Sequence, residues 1–201
     1  MSSLLNQNAG HGDYTDSKDD SARISDALLV DLIAKKNEPA LGELYDRYAL
    51  GLFNYLRRLV KNQEAAEDLL QETYLAIWQG ASSFKGRSAV KTWLFRIAHN
   101  LAMSWLRKKY RLNEETAGQI EAIDDDPEYL AVESWQTEQL QVAIDELSTK
   151  HRAVIELAFV QGLSYSEIAK VIDRPIGTVK SRISYALRHL GYLLKGRGLE
   201  S

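Results

Sequence analysis

The 201-residue chain has no cysteine, only three prolines and no long uninterrupted apolar run. Without thiols there can be no disulfide, no thiolate metal site and no cysteine nucleophile, and the composition suits a reducing compartment. No apolar run is long enough to cross a bilayer, and the N-terminus lacks the basic-then-apolar pattern of a secretion signal. A cytoplasmic protein without direct membrane insertion is expected. Sustained strand alternation with turn signals is also missing.

Signals of catalysis are equally scarce. The four histidines, His11, His99, His151 and His189, are scattered without ligand spacing. No nucleophile–base constellation and no phosphate-cradling glycine loop is present. The run Asp124-Asp125-Asp126 is the one hint of a divalent metal. It stands alone beside Pro127, without a second acidic cluster in a periodic context. No enzyme activity, metal or cofactor is expected.

What the chain does have is charge sorted into blocks. The net charge is −3, yet Phe84 to Leu112 carries eight basic residues and no acidic one. Asn113 to Thr149 carries eleven acidic residues and no basic one, and Lys170 to Arg197 carries seven basic residues against Asp173 alone. Solvated helices ordinarily mix signs to gain side-chain pairs, so blocks of pure positive charge point to a polyanion.

Apolar spacing is helical from Ser25 onward. Ser25 or Asp26 can cap a helix bearing Leu28, Leu29, Leu32 and Ile33. Asn37, with Pro39 in the first turn, opens a second, and Asn62 a third with Ala66, Leu69, Leu70, Tyr74, Ile77 and Trp78 on one face. Ser88 is positioned to cap a fourth, ending near Tyr110. Its stripe Trp93, Leu94, Ile97, Ala98, Leu101 and Trp105 reads as core. Thr92, Arg96, His99, Asn100, Met103, Arg107 and Tyr110 form an opposite polar, cationic face. Periodicity resumes near Tyr129 and continues through Leu140 and Ile144 to a cap at Ser148.

The stretch GLSYSEIAKVIDRPIGTVKSRISYALRHL carries the sharpest local signal. Ser164 and Glu167 make a capping box, and Ile168, Ala169 and Ile172 point inward. Asp173-Arg174-Pro175 breaks the helix, and Asp173 suits a left-handed turn. Thr178 is expected to cap a second helix that buries Val179 and Ile183. This is helix-turn-helix spacing. Lys180, Ser181, Arg182, Ser184, Tyr185 and Arg188 then face outward, as donors and cations suited to phosphates and base edges. Asn100 adds a group able to make two hydrogen bonds to a base, and Phe84 a stacking surface.

The fold expected is all-α: two small helical domains joined by an acidic flexible linker, the C-terminal one with a helix-turn-helix. Boundaries are placed at 1–24 for a disordered tail, 25–111 and 134–195 for the domains, 112–133 for the linker and 196–201 for a second tail. A response regulator would need an α/β receiver domain, and a simple DNA-binding repressor would leave the motif of the third helix unexplained.

DLLQETYLAIWQ, FKGRSAVKTWLFRIAHNLAMSWLRKK and GLSYSEIAKVIDRPIGTVKSRI, in this order and spacing, resemble an extracytoplasmic-function (ECF) sigma factor of bacterial RNA polymerase. The likeness spans Asp26 to Leu194. It implies a first domain that binds core polymerase and opens the −10 promoter element, and a second that reads the −35 element. By position, Asp68, Leu69, Gln71, Glu72, Leu75 and Trp78 resemble the polymerase-docking surface. Phe84, Lys85, Ser88, Ala89 and Asn100, joined by Arg96 and Arg107 of the cationic face, resemble the −10 site, whose pocket holds a flipped base. Thr178, Lys180, Ser181, Arg182, Ser184, Tyr185 and Arg188 resemble the −35 contacts. Family members often carry Arg where Tyr185 and Leu187 stand, which bears on the −35 sequence preferred. The family also implies an anti-sigma partner, and a linker that threads the polymerase's RNA exit path.

Overall fold

The computed structural model describes residues 24–115 and 135–196. Among these residues there is no strand. The chain forms α1 (Asp26–Ala34), α2 (Glu38–Val60), α3 (Gln63–Gly80), a 3-10 turn (Ala81–Ser83) and α4 (Val90–Glu115). Then come α5 (Trp135–Glu146), α6 (Thr149–Ile155), a π turn (Glu156–Val160), α7 (Tyr165–Ile172) and α8 (Ile176–Gly196).

The first three caps form as expected. Ser25 Oγ accepts from Leu28 N at 3.3 Å, Asn37 Oδ1 from Ala40 N at 2.9 Å and Asn62 Oδ1 from Ala65 N at 2.7 Å. Each satisfies one orphan donor and is worth about 1 kcal/mol. Helix α4 starts later than Ser88 suggests. The Ala89 carbonyl accepts the first backbone bond, from Trp93 N at 3.2 Å, and the helix continues past Tyr110 to Glu115. Ser148 does sit at the N-cap of α6, but its hydroxyl makes no capping bond and lies 3.0 Å from His151 Nδ1. The expected start near Tyr129, the disordered tail up to Arg23 and most of the acidic linker lie outside the described residues.

Helices α1 to α4 enclose Leu29, Ile33, Leu44, Leu52, Tyr55, Leu56, Ile77 and Leu94, all at most 1% exposed. Burying each large side chain contributes roughly 1.5–3 kcal/mol. In α7 the capping box closes in both directions, with Ser164 N donating to Glu167 Oε2 at 2.9 Å. Asp173 ends α7 in the left-handed region at φ 51°, as its short polar side chain tolerates. Helix α8 begins at Ile176, and the Pro175 carbonyl accepts from Thr178 N at 2.9 Å. Thr178 is therefore inside the first turn and does not cap it. Proline, with no N–H to leave unpaired and its φ preset, takes the entry position.

The two helical units do not stand apart. Ala153, Val154, Leu157, Leu163, Ile168, Val171, Ile172, Val179 and Ile183 form one continuous core with α1–α4. Helix α7 lies against α4, and α6 against α2. This overturns one sequence expectation. Thr92 and His99, assigned to the polar outer face of α4, are 1% and 7% exposed. The helical period identifies faces correctly, but not which polar side chains a second domain will cover.

Candidate polymerase and promoter interfaces

Three stripes of different chemistry lie on three helices. On α3, Asp68, Gln71, Glu72 and Leu75 recur at spacings of three and four and are all exposed. Leu75 is 55% exposed, a large apolar side chain ringed by carboxylates and an amide. Leu69, grouped with them by sequence, is 3% exposed and belongs to the core. Trp78 is half-buried. Lys36 donates to its carbonyl at 3.1 Å and its ammonium lies 4.8 Å from the indole centroid.

On α4 and the loop before it, Lys85, Ala89, Arg96, Asn100 and Arg107 are exposed, and Arg96, Asn100 and Arg107 follow one side of the helix. Ser88 and Phe84 are half-buried. The Phe84 ring leans on Trp93 with centroids 4.9 Å apart, so it is a wall of the loop more than a free stacking plate. Arg87 is exposed, and its carbonyl receives Lys170 Nζ of α7 at 3.2 Å.

On α8, Lys180, Ser181, Ser184, Tyr185 and Arg188 face solvent, while Thr178 and Arg182 are half-buried. Burial holds the Arg182 guanidinium below the ordinary arginine range, and Arg174 pushes the same way. It stays protonated at any physiological pH. Tyr185 is not a free side chain. Its ring stacks on His151 at 4.5 Å and 25° and faces His189 at 6.1 Å and 22°. This imidazole–phenol–imidazole ladder fixes the orientation of the tyrosine on the exposed face of α8. Burial lowers the pKa of His151, and the nearby cations Lys150 and Arg182 lower it further.

Sequence reasoning missed the polar groups between the units. Glu156 is 1% exposed and pairs with Arg58 Nη1 at 2.9 Å. Arg152, 4% exposed, donates to the carbonyls of Ile144 at 3.3 Å, Arg58 at 2.7 Å, Asp145 at 2.7 Å and Leu147 at 2.8 Å. The signal was present: an Arg and a Glu four residues apart within the otherwise apolar RAVIELA. His99 Nδ1 and the Tyr55 hydroxyl share a buried hydrogen bond, 2.7 Å long. Burial, with Arg182 nearby, pushes its pKa down to about 4, so the ring is neutral at physiological pH. Among the described residues no cluster of His, Asp or Glu would hold a metal ion, and no helix is long and apolar enough to cross a membrane.

Comparison with known proteins matches the two helical units to a family. Residues 44–112 fit the family described as Sigma-70 region 2, and residues 137–190 fit Sigma-70, region 4. The ECF RNA polymerase sigma factor SigX of Bacillus subtilis is 36% identical over 145 residues, covering 69% of this chain and 75% of that protein. The ECF sigma-E factor of Escherichia coli is 32% identical over 175 residues, covering 81% and 91%. Among solved structures, the sigma factor RpoE in complex with the anti-sigma factor NepR from Bartonella quintana aligns with TM-score 0.65 and 31% identity, covering 76% of this chain and 97% of that one. CnrH, solved with the cytosolic domain of CnrY, aligns with TM-score 0.63 and 25% identity, covering 85% and 97%. Both sigma regions occur in order, and SigX and the sigma-E factor, each above 30% identity, are covered over three quarters or more of their length: the chain belongs to the ECF sigma factors, alternative sigma factors that direct RNA polymerase to promoters and initiate transcription.

Proposed function

We propose that the three stripes divide the work of initiation. The α3 stripe, Asp68, Gln71, Glu72 and Leu75, docks on core polymerase, with Trp78 at its end. The loop and α4 residues Phe84, Lys85, Ser88, Ala89, Arg96, Asn100 and Arg107 take the −10 element. The α8 residues Thr178, Lys180, Ser181, Arg182, Ser184, Tyr185 and Arg188 read the −35 element. The observation that carries this reading is the separation of charge. The acidic, leucine-tipped stripe and the purely cationic one lie on different helices of one unit, exposed and without ion pairs across them. The first suits a protein partner and the second a phosphate backbone.

Promoter opening then needs binding alone. Unstacking one base costs a few kcal/mol, and contacts in a protein pocket together with capture of the displaced strand offset it. Asn100 supplies the paired donor and acceptor that such a base requires. The protein works as a regulatory DNA-binding subunit in the cytoplasm, without catalysis of its own. The domains run over 25–111 and 134–195, joined by 112–133. An anti-sigma protein is a further partner, supported by the two structural neighbours, both solved with a partner chain.

The test is transcription by bacterial core polymerase on fragmented genomic DNA of the source organism, with 5′ ends mapped. Starts sharing two upstream motifs, absent without the protein, are expected. Asn100→Ala should reduce open-complex formation at least tenfold and leave core binding unchanged. Loss of core binding in that variant would overturn the role given to Asn100.

A further inference from the structure

A serine that does not cap its helix and a tyrosine whose ring is not free meet at one residue, His151. Ser148 stands at the N-cap of α6, yet its hydroxyl makes no capping bond and lies 3.0 Å from His151 Nδ1. The His151 ring in turn stacks on Tyr185 of α8, with centroids 4.5 Å apart and planes inclined by 25°. We infer that His151 is a positioning residue for the −35 element: it orients Tyr185 for the DNA, and when protonated it strengthens the hold on the phosphates around that contact. The inference rests on the assignment of α8 to the −35 element made above.

Geometry supplies the first role. Tyr185 is 49% exposed on the outward side of α8, while His151 is half-buried on a different helix that packs against α8. The face of the phenol against His151 is closed to a base, so the ring edge and the hydroxyl carry the contact with DNA. A phenol donates to a phosphate oxygen or to an acceptor on a base edge. A tyrosine on an open helix surface samples several rotamers, and ordering it opposes binding. Here the ordering is done in advance. His189 lies one turn along α8, its ring 6.1 Å from that of Tyr185 and inclined by 22°. His151 ties the same ring to α6, and Ser148 ties His151 to the start of that helix.

Charge supplies the second. The groups that act on the His151 imidazole are Lys150 on its own helix and Arg182 and His189 on α8, with the Tyr185 phenol against its face. Burial and these neighbours hold its pKa below the ordinary histidine value, so the ring is neutral in the free protein at pH 7.5. Bound phosphates reverse the balance, because they offset the neighbouring cations and favour a positive ring. A phosphate touched by Tyr185 stands one ring away from His151, a distance comparable to the ~8 Å screening length at physiological salt. DNA binding therefore takes up a proton at His151. By linkage, affinity for the −35 element is greatest below the pKa of the free protein and falls as pH rises through the higher pKa of the complex. Ser148 suits both states, since a hydroxyl donates to a neutral ring nitrogen or accepts from a protonated one.

The test uses the full chain assembled with core polymerase and a promoter fragment recovered by the mapping of 5′ ends described above. Affinity is measured for that fragment and for the same fragment with its −35 region scrambled. The ratio of the two cancels what core and the −10 element contribute. In the wild type the ratio should rise at least about threefold between pH 7.5 and pH 5.5. His151→Ala should lower it about fivefold at pH 7.5, because Tyr185 must then be ordered on binding. His151→Phe keeps a ring for Tyr185 to stack on and cannot be protonated. Its ratio should stay within about twofold of the wild type at pH 7.5 and lack most of the rise at pH 5.5. Should His151→Ala impair folding by circular dichroism, His151→Phe against wild type across pH decides alone. A His151→Phe ratio that rises as the wild type's does, or a folded His151→Ala that discriminates as well as the wild type, overturns the inference. A wild type indifferent to the scrambling removes the assignment of α8 to the −35 element itself, and the role of His151 with it.

Discussion

His99 shows how one side chain can carry information about the whole joint. Its ring is buried, hydrogen-bonds to Tyr55 and feels the charge of Arg182 from α8. The folded-state pKa of about 4 lies below the ordinary histidine value near 6.5, so between these values the unfolded chain binds a proton that the folded one refuses. The contribution is complete above pH 6.5 and is lost as pH falls towards 4, to a limit of about 3 kcal/mol. Glu156 has the opposite sign. Burial raises its pKa despite Arg58, so acid relieves part of its cost. Comparing wild type with His99→Gln, whose amide can still hydrogen-bond to Tyr55, isolates the histidine. Melting temperature between pH 7.5 and 5 should fall less in the variant, and parallel curves would refute the assignment. At this scale the sequence was read unevenly. The outward side chains Arg96, Asn100, Lys180 and Tyr185 were legible because their helices run at a fixed period. Thr92 and His99 were misplaced because burial depends on neighbours the period does not name, whereas Leu69 is buried on the apolar face of α3 where the period put it.

Helix starts were legible wherever a short polar side chain had no competitor. Asn37 and Asn62 cap the helices that follow them, and Ser164 with Glu167 closes its box as the spacing requires. Ser164→Ala removes the acceptor for Glu167 N and leaves the carboxylate without its partner hydroxyl. A loss of about 1 kcal/mol is expected, read as a lower urea midpoint with unchanged slope. No change would mean that tertiary packing alone holds α7. Where a proline or a preceding carbonyl could do the work, as at Pro175 and Ala89, the nearest hydroxyl was credited wrongly. The π turn had no sequence signature at all. Its Gln161 N to Glu156 O bond at 2.9 Å skips one residue beyond the α pattern, and Leu163 N closes on Leu157 O at 2.9 Å through Gly162 at φ 66°. That extra residue sets Gln161 against Gly51 and gives Lys91 a carbonyl to hold.

Over the whole molecule, apolar periodicity led to helices throughout, and the acidic stretch that interrupts it to a division into two helical units. Their docking was not legible, because a heptad-like stripe announces that a face is buried without saying on what. The shared core makes a thermal prediction. Wild type at neutral pH should unfold in one calorimetric transition, since neither unit can lose its contact surface alone. Arg58→Ala with Lys91→Ala should split it into two. Two transitions already in the wild type would show that the joint contributes too little to couple the units.

The Arg58–Glu156 contact spans 98 residues of chain. During synthesis at about 5–20 residues per second, helices α1 to α4 emerge and pack seconds before α6 and α7 exist. For that interval the first domain's share of the common core has no partner, and Arg58 has no Glu156 to pair with. Until the second half arrives, apolar side chains of α2 and α4 stay open to water and to other proteins, so the pace of the ribosome sets how long the half-made molecule is prone to aggregate.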